Sequence, residues 1–447
     1  MSGSEQEPVA IILAGGRGER AKPITLESAD YIRSKALIPF AGRPLIEWVV
    51  QACRAQGIRR FHVVAQGQEN RSQIKSLLEH GERYGVEVRY SRPALDRYNV
   101  GSGAATLHNL EQWDLTGPAL VLPVDSVFEF SLENLLAAQR RTGAVVTVAS
   151  VERGCADVAG KYGAMLATGG LVRGFVEKPD AEQIAASFPP GVVDGSIPIP
   201  TNAGMYLVDC RRLREVTRRT ELKRLAQQRL DWGGDLLPWL VRHGLPVAAQ
   251  PIAALGDLGN VQDYLETLRD VLSGGYPQMN RLMPPPRSLS PRHWIHESTL
   301  ATRDDLTGTT LAEKMDRGRV VVGEGVRIGR HVTIGPDVRL EYADIGDGAD
   351  LREGVQVTGS YCGDAAIVGA HARIADSYVG PMTEIRSRRA APVLLERYSA
   401  VGDGAQLSPG SALSGVQVYP RLEIPRLPEI PRGTRFTSPD DVLRWAA

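Results

Sequence analysis

Lysine is scarce in this chain: seven residues against 45 arginines. The bias marks arginine as the default cation, so each retained lysine points to a place where a compact point charge is wanted. Lys22, Lys35, Lys161, Lys178 and Lys223 are the ones to check against motifs. Cysteine is also scarce. Cys53, Cys155, Cys210 and Cys362 form neither a C-x-x-C pair nor a disulfide framework, which fits a reducing cytoplasm. Net charge is lacking too, at +0. That argues against a nucleic-acid or membrane-surface role driven by bulk charge. No apolar run approaches the roughly 20 residues of a membrane span, and the polar start MSGSEQEP carries no apolar export signal.

What is present is enough for two or three domains, since 447 residues exceed one compact core. The first part alternates strand-like and helix-like runs. Val9–Leu13 reads as a buried strand, and Leu45–Cys53 as a helix with Pro44 in its first turn. Phe61–Ala65, Val86–Tyr90, Ala119–Val124 and Ala144–Val151 read as strands. Gln73–Leu78, Ala104–Trp113 and Leu132–Arg141 read as helices. The alternation predicts an α/β fold, a doubly wound and mainly parallel sheet with ligands at the strands' carboxyl ends. A helix-like Val261–Leu272 closes this part. Residues 274–315, rich in Pro and Arg, read as a linker. From about 320 the period becomes six, with one longer step: Val322-Gly323, Ile328-Gly329, Ile334-Gly335 and Ile345-Gly346, continued imperfectly by Val368-Gly369, Ile374, Val379-Gly380, Ile385 and Val401-Gly402. An aliphatic anchor before a small residue at that period indicates a β-helix. The expected domains are 1–273, a linker 274–315, and a repeat domain 316–447.

Chemistry is concentrated in Leu13-Ala14-Gly15-Gly16-Arg17-Gly18-Glu19-Arg20, directly after the first strand. A glycine-rich turn there lets backbone N–H groups approach phosphate oxygens. Arg20 and Lys35 supply fixed positive charge for the same oxygens. Gly16-x-Gly18-x-x-Ala21 also fits a dinucleotide fingerprint. However, Pro23 and a long loop follow where a helix should open, and Val63-Val64-Ala65-Gln66 offers no acidic residue. No Gly-Lys-Ser/Thr follows, so the Walker pattern fails as well. Asp125 ends a buried strand, an expensive place for a carboxylate. Taken alone it is either a turn or capping aspartate or a metal ligand. Asp257 reads equally as an Asp-x-Gly turn, Lys178 as an edge-strand lysine, Asn202 and Gly163 as turn residues, and Arg20 and Lys35 as surface charges.

LAGGRGERAKPIT…SKALIPFAGRPLIEW resembles the signature of the sugar-1-phosphate nucleotidyltransferases, the NDP-sugar pyrophosphorylases. VLPVDS, KYGAM, FVEKP and NAGMYL match further segments in order, and LGDLGNVQDY is similar to the late W-x-D-x-G-T segment. The resemblance covers roughly residues 8–272. The repeat region resembles the left-handed parallel β-helix of ADP-glucose pyrophosphorylases and long mannose-1-phosphate guanylyltransferases. This resemblance implies that a nucleoside triphosphate and a sugar 1-phosphate are joined with release of pyrophosphate. Two anions must then meet, so catalysis is positioning and charge neutralisation, for which Mg²⁺ held by carboxylates is suited. By the same resemblance Asp125 and Asp257 hold the metal, and Arg20 and Lys35 the triphosphate. Leu13, Ala14, Gly15, Gly16 and Gly18 border the nucleotide, Lys178 takes the sugar phosphate, Glu177 the sugar hydroxyls, and Gly163 and Asn202 border the sugar.

The chain departs from that pattern in three places. Glu19 puts an anion beside the triphosphate loop, so it is expected to point away or to contact another ligand. The stretch 21–34 is about five residues longer than the resembling family's usual spacing. In the segment Ser91–Leu107, which the resemblance makes the base-recognition region, Arg92 stands before the proline where many thymidylyl and uridylyl members of the resembling family have glutamine. Arginine suits the paired acceptors of guanine, and Gly101 and Gly103 lie in a segment similar to one in fucose-1-phosphate guanylyltransferases. A purine is expected, GTP ahead of ATP, with a hexose or cyclitol 1-phosphate. A homo-oligomer formed partly through the β-helix is expected. Two alternatives stand beside this: a non-catalytic regulatory subunit, and added acyl transfer with His331 or His371 as base. His293 and His296 show no complete metal-ligand set.

Overall fold

The computed structural model describes residues 7–16, 18–28, 30–193, 196–284, 292–303 and 308–446. Arg17 of the glycine-rich loop and parts of the expected linker (285–291, 304–307) lie outside them. Contacts divide the chain into two compact units. One is built from segments up to 16, 49–124 and 128–255, the other from 17–48, 125–127 and 256–447. The grouping differs from the boundary expected near 273, because the loop 17–48 and Asp125–Val127 pack with the repeat region.

The first unit is a nine-stranded sheet. Its strands are β1 (Val9–Leu13), β2 (Arg60–Val64), β3 (Glu87–Tyr90), β4 (Pro118–Pro123), β5 (Val146–Arg153), β6 (Ala164–Thr168), β7 (Leu171–Val176), β8 (Ile199–Asp209) and β9 (Val247–Pro251). They lie in the order β3-β2-β1-β4-β8-β5-β9-β7-β6. β3, β2, β1 and β4 are parallel, joined by helices α1 (Leu45–Ala55), α2 (Gln68–Leu78) and α3 (Ser102–Gln112). The apolar runs explain this half, since a parallel strand buried on both faces reads as continuous Val, Ile and Leu. Ile11, Ile12, Leu120 and Val121 are buried accordingly. β8 runs antiparallel to both β4 and β5, so the sheet is mixed beyond β4. The expected helix over Leu132–Arg141 forms as α4 (Leu132–Thr142), capped by the Ser131 side chain.

One local expectation is corrected. Pro44 does not open α1; it pairs with Pro39 in a two-residue hairpin, and the helix begins at Leu45. Ala41 and Gly42 form the turn, both with positive φ (46° and 80°), as a tight hairpin connection requires.

The second unit contains the repeat region. Three parallel sheets stack coil upon coil, as in a left-handed β-helix. On one face Arg327 sits beside Asp344, Asp344 beside Tyr361 and Tyr361 beside Tyr378, a step of 17 residues. Inward-facing Ile328, Ile345, Cys362, Val379, Val401 and Val418 form one axial stack, each buried. Ile334, Leu351, Val368, Ile385, Leu407 and Ile424 form a second. Each such side chain contributes about 1.5–3 kcal/mol by leaving water. Where a glycine follows the anchor, coils touch: a Cβ on Gly363 would lie 2.4 Å from the Pro381 nitrogen. The segment expected to be a linker contributes to this architecture, since His293–Ile295 pairs with Val326–Ile328 as the first rung. α5 (Val261–Leu272) precedes it, capped by Asn260. All four cysteines are free. Among the described residues no helix is long and apolar enough to cross a membrane.

Candidate active site

In the second unit four charged side chains converge. Asp125 follows β4, and its carbonyl accepts from the Leu258 N–H at 3.0 Å, which draws the segment after Asp257 alongside. Lys35 opens a short 3₁₀ turn whose Ser34 cap accepts from the Ala36 N–H. Its ammonium lies 2.7 Å from Asp125 Oδ2. Gly18 explains how the chain passes so close. Its φ is +71°, and a Cβ would sit 2.7 Å from Thr25 Cγ2 and 3.0 Å from Lys35 Cγ. Only glycine meets both conditions. Thr25 Oγ1 donates to the Gly18 carbonyl at 3.0 Å and closes the loop.

Arg20 and Asp257 both border Gly259: its Cβ position lies 3.2 Å from Asp257 Oδ1 and 3.4 Å from Arg20 Nη2. Burial pushes the Asp257 carboxyl above the ordinary carboxylate range. The charges of Asp125 and Asp263 push the same way, against Lys35 and Arg20. Glu19 pairs with Lys22 at 2.8 Å.

Among the described residues no three His, Cys, Asp or Glu side chains are placed to enclose a metal. The chemistry of the donor set nevertheless fits Mg²⁺. Two hard carboxylates repel one another, and this ion characteristically takes one or two carboxylates and completes its shell with water and substrate phosphates.

The first unit holds the remaining candidates. Leu13 accepts from the Val124 N–H (3.1 Å). Ala14 donates to Val64 (2.9 Å), and its carbonyl accepts from Asn70 (2.7 Å). These bonds fix the exit of β1 and leave Gly15 and Gly16 exposed. Around Glu177 the backbone is cut away on two sides. A Cβ on Gly163 would lie 2.7 Å from Glu177 Oε2, and one on Gly233 2.5 Å from the same oxygen. Although Glu177 is exposed at its surface, this packing desolvates its carboxyl and raises its pKa. Lys178 opposes the shift, and Asp231 and Asp235 add to it. Lys178 carries a φ of 47°, a strained conformation of the kind that concentrates at functional sites. Asn202 donates to the Tyr206 hydroxyl at 3.0 Å. Tyr206 stacks on Trp232 at 4.3 Å between ring centroids.

Tyr206, Asp231, Trp232 and Gly233 were not singled out by sequence reasoning. Trp232–Leu236 is a π-helical turn, a form common at functional sites. The available signal was Asp-Trp-Gly-Gly-Asp, an aromatic beside paired glycines between two acids.

Arg92 is exposed, at the start of a loop pinned by Asp96 to the Gly67 N–H (3.0 Å) and to Arg71 (2.5 Å). Gly101 and Gly103 face protein. A Cβ would lie 2.5 and 3.0 Å from the Leu230 carbonyl, which accepts from the Gly103 N–H at 2.8 Å. The histidines take structural places. His293 Nε2 bonds the Gly323 carbonyl (2.7 Å) and His296 caps a short helix with Ser298. His331 and His371 occupy coil corners with positive φ.

A mixed α/β sheet with a glycine-rich strand exit in one unit, and a centre of two carboxylates and two cations in the other, are the features of a protein that moves a phosphate-bearing group. The chain belongs to the nucleotidyl transferase family, whose model matches residues 9–274. It is similar to a UTP–glucose-1-phosphate uridylyltransferase of Synechocystis sp., 25% identical over 374 residues that cover 79% of this chain and 88% of that protein. A glucose-1-phosphate adenylyltransferase 2 of Vibrio parahaemolyticus is 28% identical over 297 residues, covering 62% and 69%. A glucose-1-phosphate adenylyltransferase of Novosphingobium aromaticivorans is 24% identical over 406 residues, covering 81% and 91%. The last similarity extends across most of both chains.

Proposed function

We propose that this protein joins a nucleoside triphosphate to a sugar or cyclitol 1-phosphate and releases pyrophosphate. The observation that carries this reading is the alternating centre Lys35–Asp125 and Asp257–Arg20 in a chain of the nucleotidyl transferase family. An oxygen of the sugar phosphate attacks the α-phosphorus, a P–O bond forms, and the bond to the β-phosphate oxygen breaks. Pyrophosphate leaves with its electron pair. No protein nucleophile is needed, because the phosphate itself attacks. Lys35 and Arg20 neutralise triphosphate oxygens, and Gly15 and Gly16 give them backbone donors. Asp125 and Asp257 would hold Mg²⁺, which supplies charge neutralisation at the phosphates when bound. Lys178 takes the sugar phosphate. Glu177 and Asn202, with Tyr206 and Trp232 beside them, take the ring.

The proposed base is a purine, GTP ahead of ATP, supported by exposed Arg92 on its braced loop. A reducing, cytoplasmic setting is supported by the four free cysteines. Self-association partly through the β-helix is supported by exposed Val321, Ile367, Met382 and Leu394 on the coil.

The test is pyrophosphate release from GTP, ATP, UTP, CTP and dTTP, each against hexose and cyclitol 1-phosphates with Mg²⁺. Release with one purine triphosphate and one 1-phosphate is expected. Release only with a pyrimidine triphosphate overturns the purine assignment, and release with no pair from folded protein removes the catalytic reading.

A further inference from the structure

The outer face of a β-helix normally meets water, yet one ladder of this coil does not. Arg327, Asp344, Tyr361 and Tyr378 are outward-facing neighbours in successive coils, and all are buried. Tyr264 of α5 stands edge-on to Tyr361 and Tyr378, at 6.1 and 5.6 Å. It also stands edge-on to Phe40 at 5.4 Å, and its hydroxyl donates to the Pro39 carbonyl at 2.7 Å. The segment carrying Lys35 and the helix following Asp257 are therefore both seated on the coil.

The long stretch 21–34 ends on the same ladder. Arg33 is 8% exposed and Asp403, from a coil corner, 3%. Their guanidinium and carboxylate bond directly. Arg33 also donates to the Ile24 carbonyl at 3.1 Å and to Glu27 at 3.3 Å, and its own N–H to the Thr25 carbonyl at 2.9 Å. Thr25 in turn holds Gly18. One buried ion pair thus ties both ends of the excursion to the coil, two residues before Lys35.

We propose that Arg33 and Asp403 are positioning residues for the transfer reaction: the β-helix, through Asp403, fixes the loop that aims Lys35 at Asp125. The catalytic consequence rests on the proposed reaction, while the positioning itself does not. A loop held only by its covalent ends samples many conformations. A misplacement of about 1 Å in a charged catalytic group costs as much as 10²-fold in rate.

The experiment compares wild type with Asp403→Asn, and with Asp344→Asn as a control that breaks an equally buried pair meeting the chain at Gly42 rather than at Arg33. Three quantities are read: the rate of Lys35 reductive methylation by peptide mass spectrometry, kcat and KM for the triphosphate, and Tm. Asp403→Asn is expected to speed Lys35 methylation several-fold and to lower kcat by about 10–100-fold. Asp344→Asn is expected to lower Tm while leaving Lys35 reactivity and kcat near wild type. Asp403→Glu keeps the charge and serves where the asparagine variant does not fold; it is expected to fall between the two. Unchanged Lys35 reactivity and kcat in Asp403→Asn overturn the proposal whatever Tm does. So does an equal loss in Asp344→Asn. A wild type that releases no pyrophosphate from any substrate pair removes the proposed reaction, and Lys35 reactivity still decides the role of Arg33 and Asp403.

Discussion

Lys35 Nζ stands 2.7 Å from Asp125 Oδ2, with only 9% of the lysine side chain exposed. A cation that close to one of two mutually repelling carboxylates does two things. It lowers the cost of holding Asp125 and Asp257 together, and it leaves a positive group where phosphate oxygens would arrive. Lys35→Met removes both effects. Activity is expected to fall by about 10²–10³-fold, the scale of removing one preorganised donor at a centre of developing charge. The metal-free protein is expected to melt lower than wild type. Steady-state kinetics and calorimetry check the two halves, and a variant active within a few-fold of wild type removes Lys35 from the chemistry.

Asp257 carries a pH prediction. Its folded pKa is raised, so the folded state favours the protonated form. The associated stability is fully present below the ordinary carboxylate range and is lost as pH rises through the raised value. Above the raised value the metal-free protein bears an ionised carboxylate that Asp125 and Asp263 repel. Asp257→Asn mimics the protonated form. It is expected to stabilise the metal-free protein at pH 7 by about 0.5–2 kcal/mol, the usual gain when a functional site is relaxed. The difference should vanish at acid pH, and activity should be abolished. A variant less stable than wild type at neutral pH contradicts this account of Asp257.

Some of this site was legible in the residues and some was not, for a physical reason. Asp125, Glu177 and Lys178 sit at the ends of strands whose apolar runs announce themselves, and they belong to contiguous motifs. The axial stack Ile328–Ile345 was legible for the same reason, since a local period reports a local structure. Pro44 was misplaced because a hairpin pairing it with Pro39 competes with helix initiation. Tyr206 and Trp232 meet by stacking across elements, and Arg33 meets Asp403 across 370 residues. Nothing in a linear window encodes such contacts.

The glycines around Glu177 allow a test that separates folding from recognition. A Cβ at Gly233 would lie 2.5 Å from Glu177 Oε2, the far end of a flexible side chain. Gly233→Ala therefore displaces the carboxylate and leaves the surrounding backbone in place. KM for the sugar phosphate is expected to rise by about 10–100-fold, or roughly 1.4–2.8 kcal/mol, with KM for the triphosphate and Tm little changed. Equal effects on both substrates contradict a sugar-side role for Glu177.

Gly42 answers a different question, the strength of the coil ladder. Its φ is +80°, and a Cβ would lie 2.2 Å from Arg327 Nε. Arg327 is paired with fully buried Asp344 at 2.5 Å. Gly42→Ala is expected to expel the guanidinium and strand the carboxylate, costing about 3–5 kcal/mol. Denaturant unfolding measures this directly. A loss below about 1 kcal/mol, the range of exposed pairs, contradicts the buried-pair description.

The proposed purine preference turns on Arg92. Its side chain is exposed, while the loop beneath it is fixed through Asp96 to Arg71 and Gly67. A guanidinium on a braced loop can present two parallel donors to the O6 and N7 acceptors of guanine. A pyrimidine edge has no such pair. Arg92→Ala is expected to weaken GTP by about 1–3 kcal/mol, the worth of one bidentate base contact. UTP and CTP should change little, so discrimination collapses from the purine side. Uniform weakening across all triphosphates instead assigns Arg92 to phosphate rather than base, and the choice of nucleotide then rests on other residues of the loop 91–99.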